Sequence, residues 1–253
     1  MKVAGHSVIV TGGGSGLGAA TAEHFAKDGA KVTIIDMNSQ AAHAVAQRLG
    51  GLAIVGDVAD ESAMAEAFET SLAQHGPCRV VVNCAGIGVA KRVVGRDGPM
   101  PLAEFERVIR INLIGSFNIM RLAATQMSKA DSLEEGERGV IISTSSVAAF
   151  EGQLGQAAYA ASKGGIAALT LPVARELAAF GIRVLTIAPG LFLTPLLQTL
   201  PDDVQKSLGA SIPFPSRLGL PEEFAALAAH MVENRFLNGE TIRLDGALRL
   251  PPK

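Results

Sequence analysis

Tyr159 and Lys163 stand four positions apart in Tyr159-Ala160-Ala161-Ser162-Lys163. On a helix that spacing puts both side chains on one face. A phenol ionises near pH 10 and is a poor proton carrier at neutral pH. An ammonium beside it favours phenolate and brings it into the range where acid–base catalysis is efficient. Tyr159 is the 1 Tyr of the 253-residue chain, which makes a chance match less likely than in a Tyr-rich protein. Ser146 lies upstream, just past an apolar run ending near Ser143. Its hydroxyl can hydrogen-bond a substrate oxygen, or cap the turn that follows.

A second group of residues suits a phosphate-bearing ligand. Val8-Ile9-Val10-Thr11-Gly12-Gly13-Gly14-Ser15-Gly16-Leu17-Gly18 leads from a strand-like run into a helical pattern. Glycines at 12, 16 and 18 permit a tight turn and close backbone approach, and the helix N-terminus beyond can face a pyrophosphate. Ser15, not a cation, occupies the middle of the turn. Asp36 ends the second strand-like run, 20 positions after Gly16. A carboxylate there accepts hydrogen bonds from a ribose diol and repels a 2′-phosphate, which favours NAD over NADP. It can equally cap the next helix. Asp57 and Val58, after the third run, can bracket an adenine. Asn83, Ala85 and Gly86, after the fourth, are placed where small residues let backbone approach the ligand. Cys84 between them reads as a buried filler, with no His nearby in sequence to activate it.

Those residues must be held by alternating β and α segments. The spacing predicts strands over 6–11, 31–36, 52–56, 79–83, 139–143, 182–187 and 241–244. It predicts helices near 16–28, 39–50, 60–75, 102–128, 157–180 and 221–233. Val8-Ile9-Val10, Val80-Val81-Val82 and Val140-Ile141-Ile142 are apolar throughout, as strands covered on both faces are. The fold class expected is α/β, a doubly wound parallel sheet in one domain over 1–253. Residues 191–219 contain four prolines, too many for a regular helix, and read as a substrate lid. Leu191, Phe192, Leu193, Leu196, Leu197 and Phe214 can line an apolar pocket beneath it. Pro172 falls inside the 157–180 helix and is expected to kink it or leave a backbone bond unmade.

Composition excludes several classes. Apolar residues form 48% of the chain and charged residues 18%, a globular balance rather than a disordered one. A formal charge of −2 lacks the positive field that nucleic-acid binding needs. Two Cys make neither a disulfide framework nor a multi-Cys metal site, so no metal is expected. The start carries no signal peptide pattern, and no run reaches the length of a membrane span. The expected location is the cytoplasm.

The residues together resemble the short-chain dehydrogenases/reductases over essentially the whole chain. The shared motifs are Thr11–Gly18, Asn83-x-Ala85-Gly86, Asn112, Ser146, Tyr159-x-x-x-Lys163, and Pro189-Gly190 with Thr194. Where the family commonly has Asn-Asn-Ala-Gly, this chain has Asn83-Cys84-Ala85-Gly86. The resemblance implies a Rossmann-type fold with a seven-stranded parallel sheet and a homotetramer or homodimer. It implies that Tyr159 exchanges a proton with the substrate and that Lys163 lowers its pKa and holds the nicotinamide ribose. Ser146 would orient the substrate oxygen. Asn112 would support a water linking Lys163 to solvent, and Pro189, Gly190 and Thr194 would hold the nicotinamide end.

Within the family, residues 145–153, 156–159, 187–192, 213–219 and 236–240 resemble the branch that oxidises 3-hydroxyacyl-CoA, which is also known for oxidising steroid hydroxyls. That implies NAD as cofactor, short or branched acyl chains, and Gln153 and Phe192 beside Ser146 and Tyr159 at the substrate. The 91–101 and 128–138 loops sit where that branch has insertions, although the stretch around 95–101 shares little with it. The first of these loops carries a basic cluster. Its Lys91, Arg92 and Arg96 either meet coenzyme A phosphates or form a solvated basic loop. Two rivals remain: an NADPH-dependent 3-oxoacyl-carrier-protein reductase, against which Asp36 argues, and a non-catalytic dinucleotide-binding subunit, against which Ser146, Tyr159, Lys163 and Asn112 argue.

Overall fold

A computed structural model describes residues 1–96 and 98–252, with the side chain of Leu196 outside the description. Asp97 of the 91–101 loop and Leu196 of the expected apolar pocket therefore lie outside the described residues. The chain runs β1 (Ser7–Thr11), α1 (Gly16–Lys27), β2 (Lys31–Asp36), α2 (Ser39–Leu49), β3 (Leu52–Val55), α3 (Glu61–His75) and β4 (Cys78–Asn83). A two-residue ladder, β5 (Val94–Gly95) with β6 (Gly98–Pro99), interrupts the loop that follows. Then come α4 (Leu102–Ile109), a π-helical turn (Arg110–Ile114), α5 (Gly115–Lys129), β7 (Gly139–Thr144), α6 (Ala157–Leu177) and β8 (Ile182–Pro189). The chain finishes with α7 (Pro195–Gln198), α8 (Asp202–Ala210), α9 (Pro221–Glu233) and β9 (Thr241–Leu244).

Seven strands form one parallel sheet in the order β3-β2-β1-β4-β7-β8-β9. Alternation along β1 explains the two layers. Val8 and Val10 enter a core with Ala22, Phe25 and Phe224 on one face. Ile9 enters a core with Phe68, Met120 and Ile141 on the other. All three are fully buried, which is why these strands read as unbroken apolar runs. Order reverses at β1, whose neighbours are β2 and β4, and a crevice opens at the carboxyl ends of β1 and β4.

Three expectations are corrected. The 102–128 helix runs unbroken but is not α-helical throughout: its middle turn widens to a π-helix over Arg110–Ile114, with Asn112 inside it. The 191–219 stretch holds two helices despite its prolines, because Pro195 sits in the first turn of α7 and Pro201 caps α8. At those positions proline loses no helical hydrogen bond. Phe214 is 83% exposed and is not among the residues lining the crevice. Helix α6 runs on through Pro172 to Leu177.

Candidate active site

The crevice is a cleft of about 760 Å³. Of the expected site residues, Gly12, Ser15, Gly16, Leu17, Gly18, Asp36, Asp57, Val58, Ala85, Gly86, Ser146, Gln153, Tyr159, Lys163, Pro189, Gly190, Phe192 and Thr194 all line it. Asn83 and Asn112 are not on its wall. Asn83 lies behind, its amide donating to the Ser116 carbonyl and to Ser143 Oγ, both at 3.4 Å.

At one end, the glycines fit a dinucleotide. Gly12 has φ +62°, and a Cβ there would sit 2.7 Å from the Ala85 nitrogen. A Cβ on Gly18 would fall inside the Gly12 carbonyl. The turn is therefore closed against any side chain and presents backbone. The first main-chain bond of α1 comes from Ala19 to the Ser15 carbonyl. The amides of Gly16, Leu17 and Gly18 precede it and have no partner within the helix. No acidic residue occupies that first turn, so an anion meets the positive end of the helix dipole unopposed. Asp36 is held by two amides: Gly14 donates to Oδ2 at 3.0 Å and Asn38 to Oδ1 at 2.9 Å. Each carboxylate oxygen keeps a lone pair for a ribose diol. Asp57 accepts from Ala59 at 2.9 Å and from Arg110 at 2.9 Å, so its carboxylate is held beside the cleft by the π-helical turn.

At the other end, β7 delivers Ser146 and α6 delivers Tyr159 and Lys163. The three serines near the strand end divide their work. Ser143 accepts from Asn83, and Ser145 donates to the Lys163 carbonyl at 2.8 Å. Ser146 accepts from the Ala148 amide at 3.1 Å, capping a short 3₁₀ turn. That bond leaves its own proton for a second oxygen. Burial pushes the Tyr159 phenol above its ordinary pKa, and the Ser146 hydroxyl pulls it back down. The expected effect of Lys163 on Tyr159 is thus opposed by desolvation. Lys163 Nζ lies 5.8 Å from the Tyr159 ring centre and donates to the Thr144 carbonyl at 2.7 Å. Burial pushes its ammonium down to about 8. Such a displacement corresponds to roughly 3 kcal/mol of cost for charging it. A Cβ on Gly86 would press on Asn112 Oδ1 at 3.2 Å and stand in ordinary contact with Lys163 Nζ at 3.5 Å.

Asn112 sits underneath, fully buried. Both its amide protons are taken by protein acceptors, the Ile87 carbonyl at 2.9 Å and Ser162 Oγ at 3.0 Å. Its Oδ1 accepts from the Ile87 amide at 2.8 Å. Ser162 in turn donates to the Tyr159 carbonyl at 2.7 Å. A π-helical turn is a common way of aiming one side chain at a site.

Phe192 reaches the cleft, but its ring packs edge-to-face on Phe224 at 6.5 Å between centroids. Cys84 also borders the cleft; burial pushes its thiol up to about 11, which makes it an inert filler. Lys91 pairs with Glu104 at 3.8 Å in an exposed position. Sequence reasoning missed Thr144, Arg110 and Leu250 as site residues, and named Gln156 only within a segment of resemblance. Thr144 acts through its backbone carbonyl, and Arg110 and Leu250 belong to no recognisable motif. No His/Cys/Asp/Glu cluster suited to a metal occurs among the described residues, and no described helix is long and apolar enough to cross a membrane.

Comparison with known proteins agrees with this geometry. Residues 6–205 match the family described as short chain dehydrogenase. The chain is 50% identical to bovine 3-hydroxyacyl-CoA dehydrogenase type-2 over 255 residues, covering 99% of this chain and 98% of that one. It is 49% identical to the human protein of the same name over 255 residues, again with 99% and 98% covered. The crystal structure of 3-hydroxyacyl-CoA dehydrogenase type-2 from Mycobacterium avium superposes with a TM-score of 0.93 at 43% identity, covering 98% of both chains. The chain belongs to the short-chain dehydrogenase family and is an oxidoreductase that works with a nicotinamide dinucleotide.

Proposed function

We propose that the protein uses NAD to oxidise a 3-hydroxyacyl-CoA to the 3-oxoacyl-CoA, with short or branched acyl chains. The reading is carried by one observation: Ser146, Tyr159 and Lys163 share a cleft with the glycine-rich turn and Asp36. The names of the half-identical relatives support the substrate class.

The bound dinucleotide supplies the hydride acceptor. Tyr159 takes the hydroxyl proton during oxidation and returns it during reduction. Ser146 fixes the substrate oxygen beside the phenol. Lys163 favours the phenolate and binds the nicotinamide ribose with the donors not used on Thr144. Asn112 is assigned a positioning role through Ser162 and Ile87. Gly12, Ser15, Gly16, Leu17 and Gly18 hold the pyrophosphate and Asp36 the adenosine ribose; Asp57 and Val58 flank the adenine. Asn83, Ala85 and Gly86 shape the middle of the cleft, and Pro189, Gly190 and Thr194 its nicotinamide end. Gln153 and Phe192 are assigned to the substrate side. Met37-Asn38-Ser39 after β2 offers no cation for a 2′-phosphate, which favours NAD over the NADPH-dependent acyl-carrier-protein reductase reading.

A homotetramer in the cytoplasm completes the proposal. Half-exposed Ile114 and Phe117 on the 110–129 segment and Leu171 on α6 support self-association. The free thiols Cys78 and Cys84 suit a reducing compartment. NADH formation across 3-hydroxyacyl-CoA chain lengths tests the activity, with a hydroxysteroid and an unactivated secondary alcohol as comparators. Preference for the thioesters supports it; preference for either comparator overturns the substrate assignment.

A further inference from the structure

Beyond β9 the chain turns sharply and comes back across the loop that follows Ser146. Asp245 Oδ1 accepts from the Ala247 amide at 3.0 Å, and Ala247 adopts φ 66°. Leu248, 2% exposed, plugs the end into the core. After Leu248 the tail is held by polar contacts. Their hub is Glu151, five positions past Ser146. Arg243 grips Glu151 with two bonds, 2.8 and 3.0 Å. Arg249 from the tail reaches the same carboxylate at 3.3 Å. The Leu250 amide donates to Glu151 Oε2 at 3.3 Å. Asp245 closes the ring, 2.8 Å from Arg243 and 3.1 Å from Arg249. Two cations and two carboxylates thus alternate with no net charge. Planar bidentate pairing of this kind fixes geometry as well as contributing energy.

The tail is bound to the substrate side of the cleft. Gln153 Nε2 donates to the Pro251 carbonyl at 3.0 Å, and the Leu154 amide to the Pro252 carbonyl at 3.1 Å. Leu250 itself lines the cleft, as do Gln153 and Tyr159. We infer that Glu151 is a positioning residue that clamps the C-terminal tail as a fixed wall of the substrate pocket, so that the clamp sets how long an acyl chain the site prefers. The inference deepens the dehydrogenase reading and rests on it. With Glu151 neutral, Arg243 and Arg249 lose one of their two shared anions, keeping only Asp245, and the Leu250 amide loses a charged acceptor. The wall then moves away from Tyr159, and the pocket lengthens.

The test uses the full chain with Glu151→Gln, which keeps the side-chain shape, and Leu250→Ala, which removes the wall while leaving the clamp. Asp245 is left intact because it packs against Gly190, where a Cβ would stand 2.9 Å from it. In Glu151→Gln, hydrogen exchange at the 248–250 amides rises about tenfold or more. KM for the shortest substrate rises about tenfold with kcat changed less than about threefold. The chain-length optimum moves to longer acyl groups, and NADH affinity is unchanged. Leu250→Ala moves the optimum the same way without freeing the tail. An unchanged optimum in Glu151→Gln, even with faster tail exchange, overturns the inference, because the clamp is then only structural. If Glu151→Gln does not fold, the optimum of Leu250→Ala decides alone. If the wild type ignores every 3-hydroxyacyl-CoA, the substrate assignment fails separately. The clamp is then judged by the same shift along a series of free secondary alcohols.

Discussion

The Lys163 ammonium stands 5.8 Å from the centre of the Tyr159 ring, in a pocket that disfavours charge on both. Burial lifts the phenol and lowers the amine, so each group's charge is best tolerated with the other's beside it. Oxidation needs the phenolate, and its rate therefore rises with pH through the Tyr159 pKa. Reduction needs the phenol and runs the opposite way. The Ser146 hydroxyl lowers that pKa. In Ser146→Ala the residual oxidation rate should have its rising limb displaced to higher pH, as read from kcat/KM against pH. An unmoved limb would separate Ser146 from the phenol's ionisation.

The same burial predicts a stability effect. Lys163 has a folded pKa of about 8 against 10.5 when free. Between those values the unfolded chain holds the extra proton, so the contribution of this group to stability rises with pH across that window. Below about 8 the charged amine is at its most costly. Lys163→Met should lose turnover yet melt no lower than wild type at pH 7, with the difference in Tm shifting in favour of wild type towards pH 10. A variant that melts far below wild type at pH 7 contradicts this.

Asn112 should behave in the opposite way. Of its three bonds, the one to Ser162 is buried and the two to Ile87 are part-buried. Asn112→Ala strands the Ile87 amide and carbonyl, at a cost of roughly 1–3 kcal/mol each if no water replaces the amide. Asn112→Asp keeps the bond from the Ile87 amide but sets an acceptor against the Ile87 carbonyl. Both variants should unfold at lower denaturant than wild type, with turnover reduced alongside.

Cofactor choice rests on Asp36 and the residue after it. Asp36→Ala combined with Met37→Arg removes the carboxylate and adds a cation at an exposed position. The ratio of kcat/KM for NAD to that for NADP should fall by roughly tenfold or more. A wild-type enzyme that already prefers NADP contradicts the reading of Asp36.

Much of this was legible in the sequence, for physical reasons. Strands buried on both faces must be apolar throughout, so Val8-Ile9-Val10 and Val140-Ile141-Ile142 announced the parallel sheet. Glycines 12 and 18 are required by contacts that no side chain survives, and Tyr159 with Lys163 follows helical spacing. What escaped depends on tertiary context. The π-helical turn around Asn112 has no composition of its own, and the residues on either side continue the helical pattern. Phe192 does reach the cleft, but its ring is held there by Phe224, a partner 32 positions away. Phe214, read as a pocket residue because it is apolar, faces solvent. Counting prolines in 191–219 ignored their positions, and Pro195 starts a helix there rather than preventing one. Glu151 and Leu250 meet only because the tail returns across the sheet end, a path that no local pattern encodes.

Tyr159→Phe is the most direct test of the proton-transfer role. The substitution removes one hydroxyl and leaves the ring, Lys163 and the glycine-rich turn in place. The chain has no Trp, so NADH fluorescence reports binding against a dark protein background. The variant should bind NADH as wild type does and lose nearly all turnover in both directions. Turnover close to wild type, with NADH bound, would contradict the assignment.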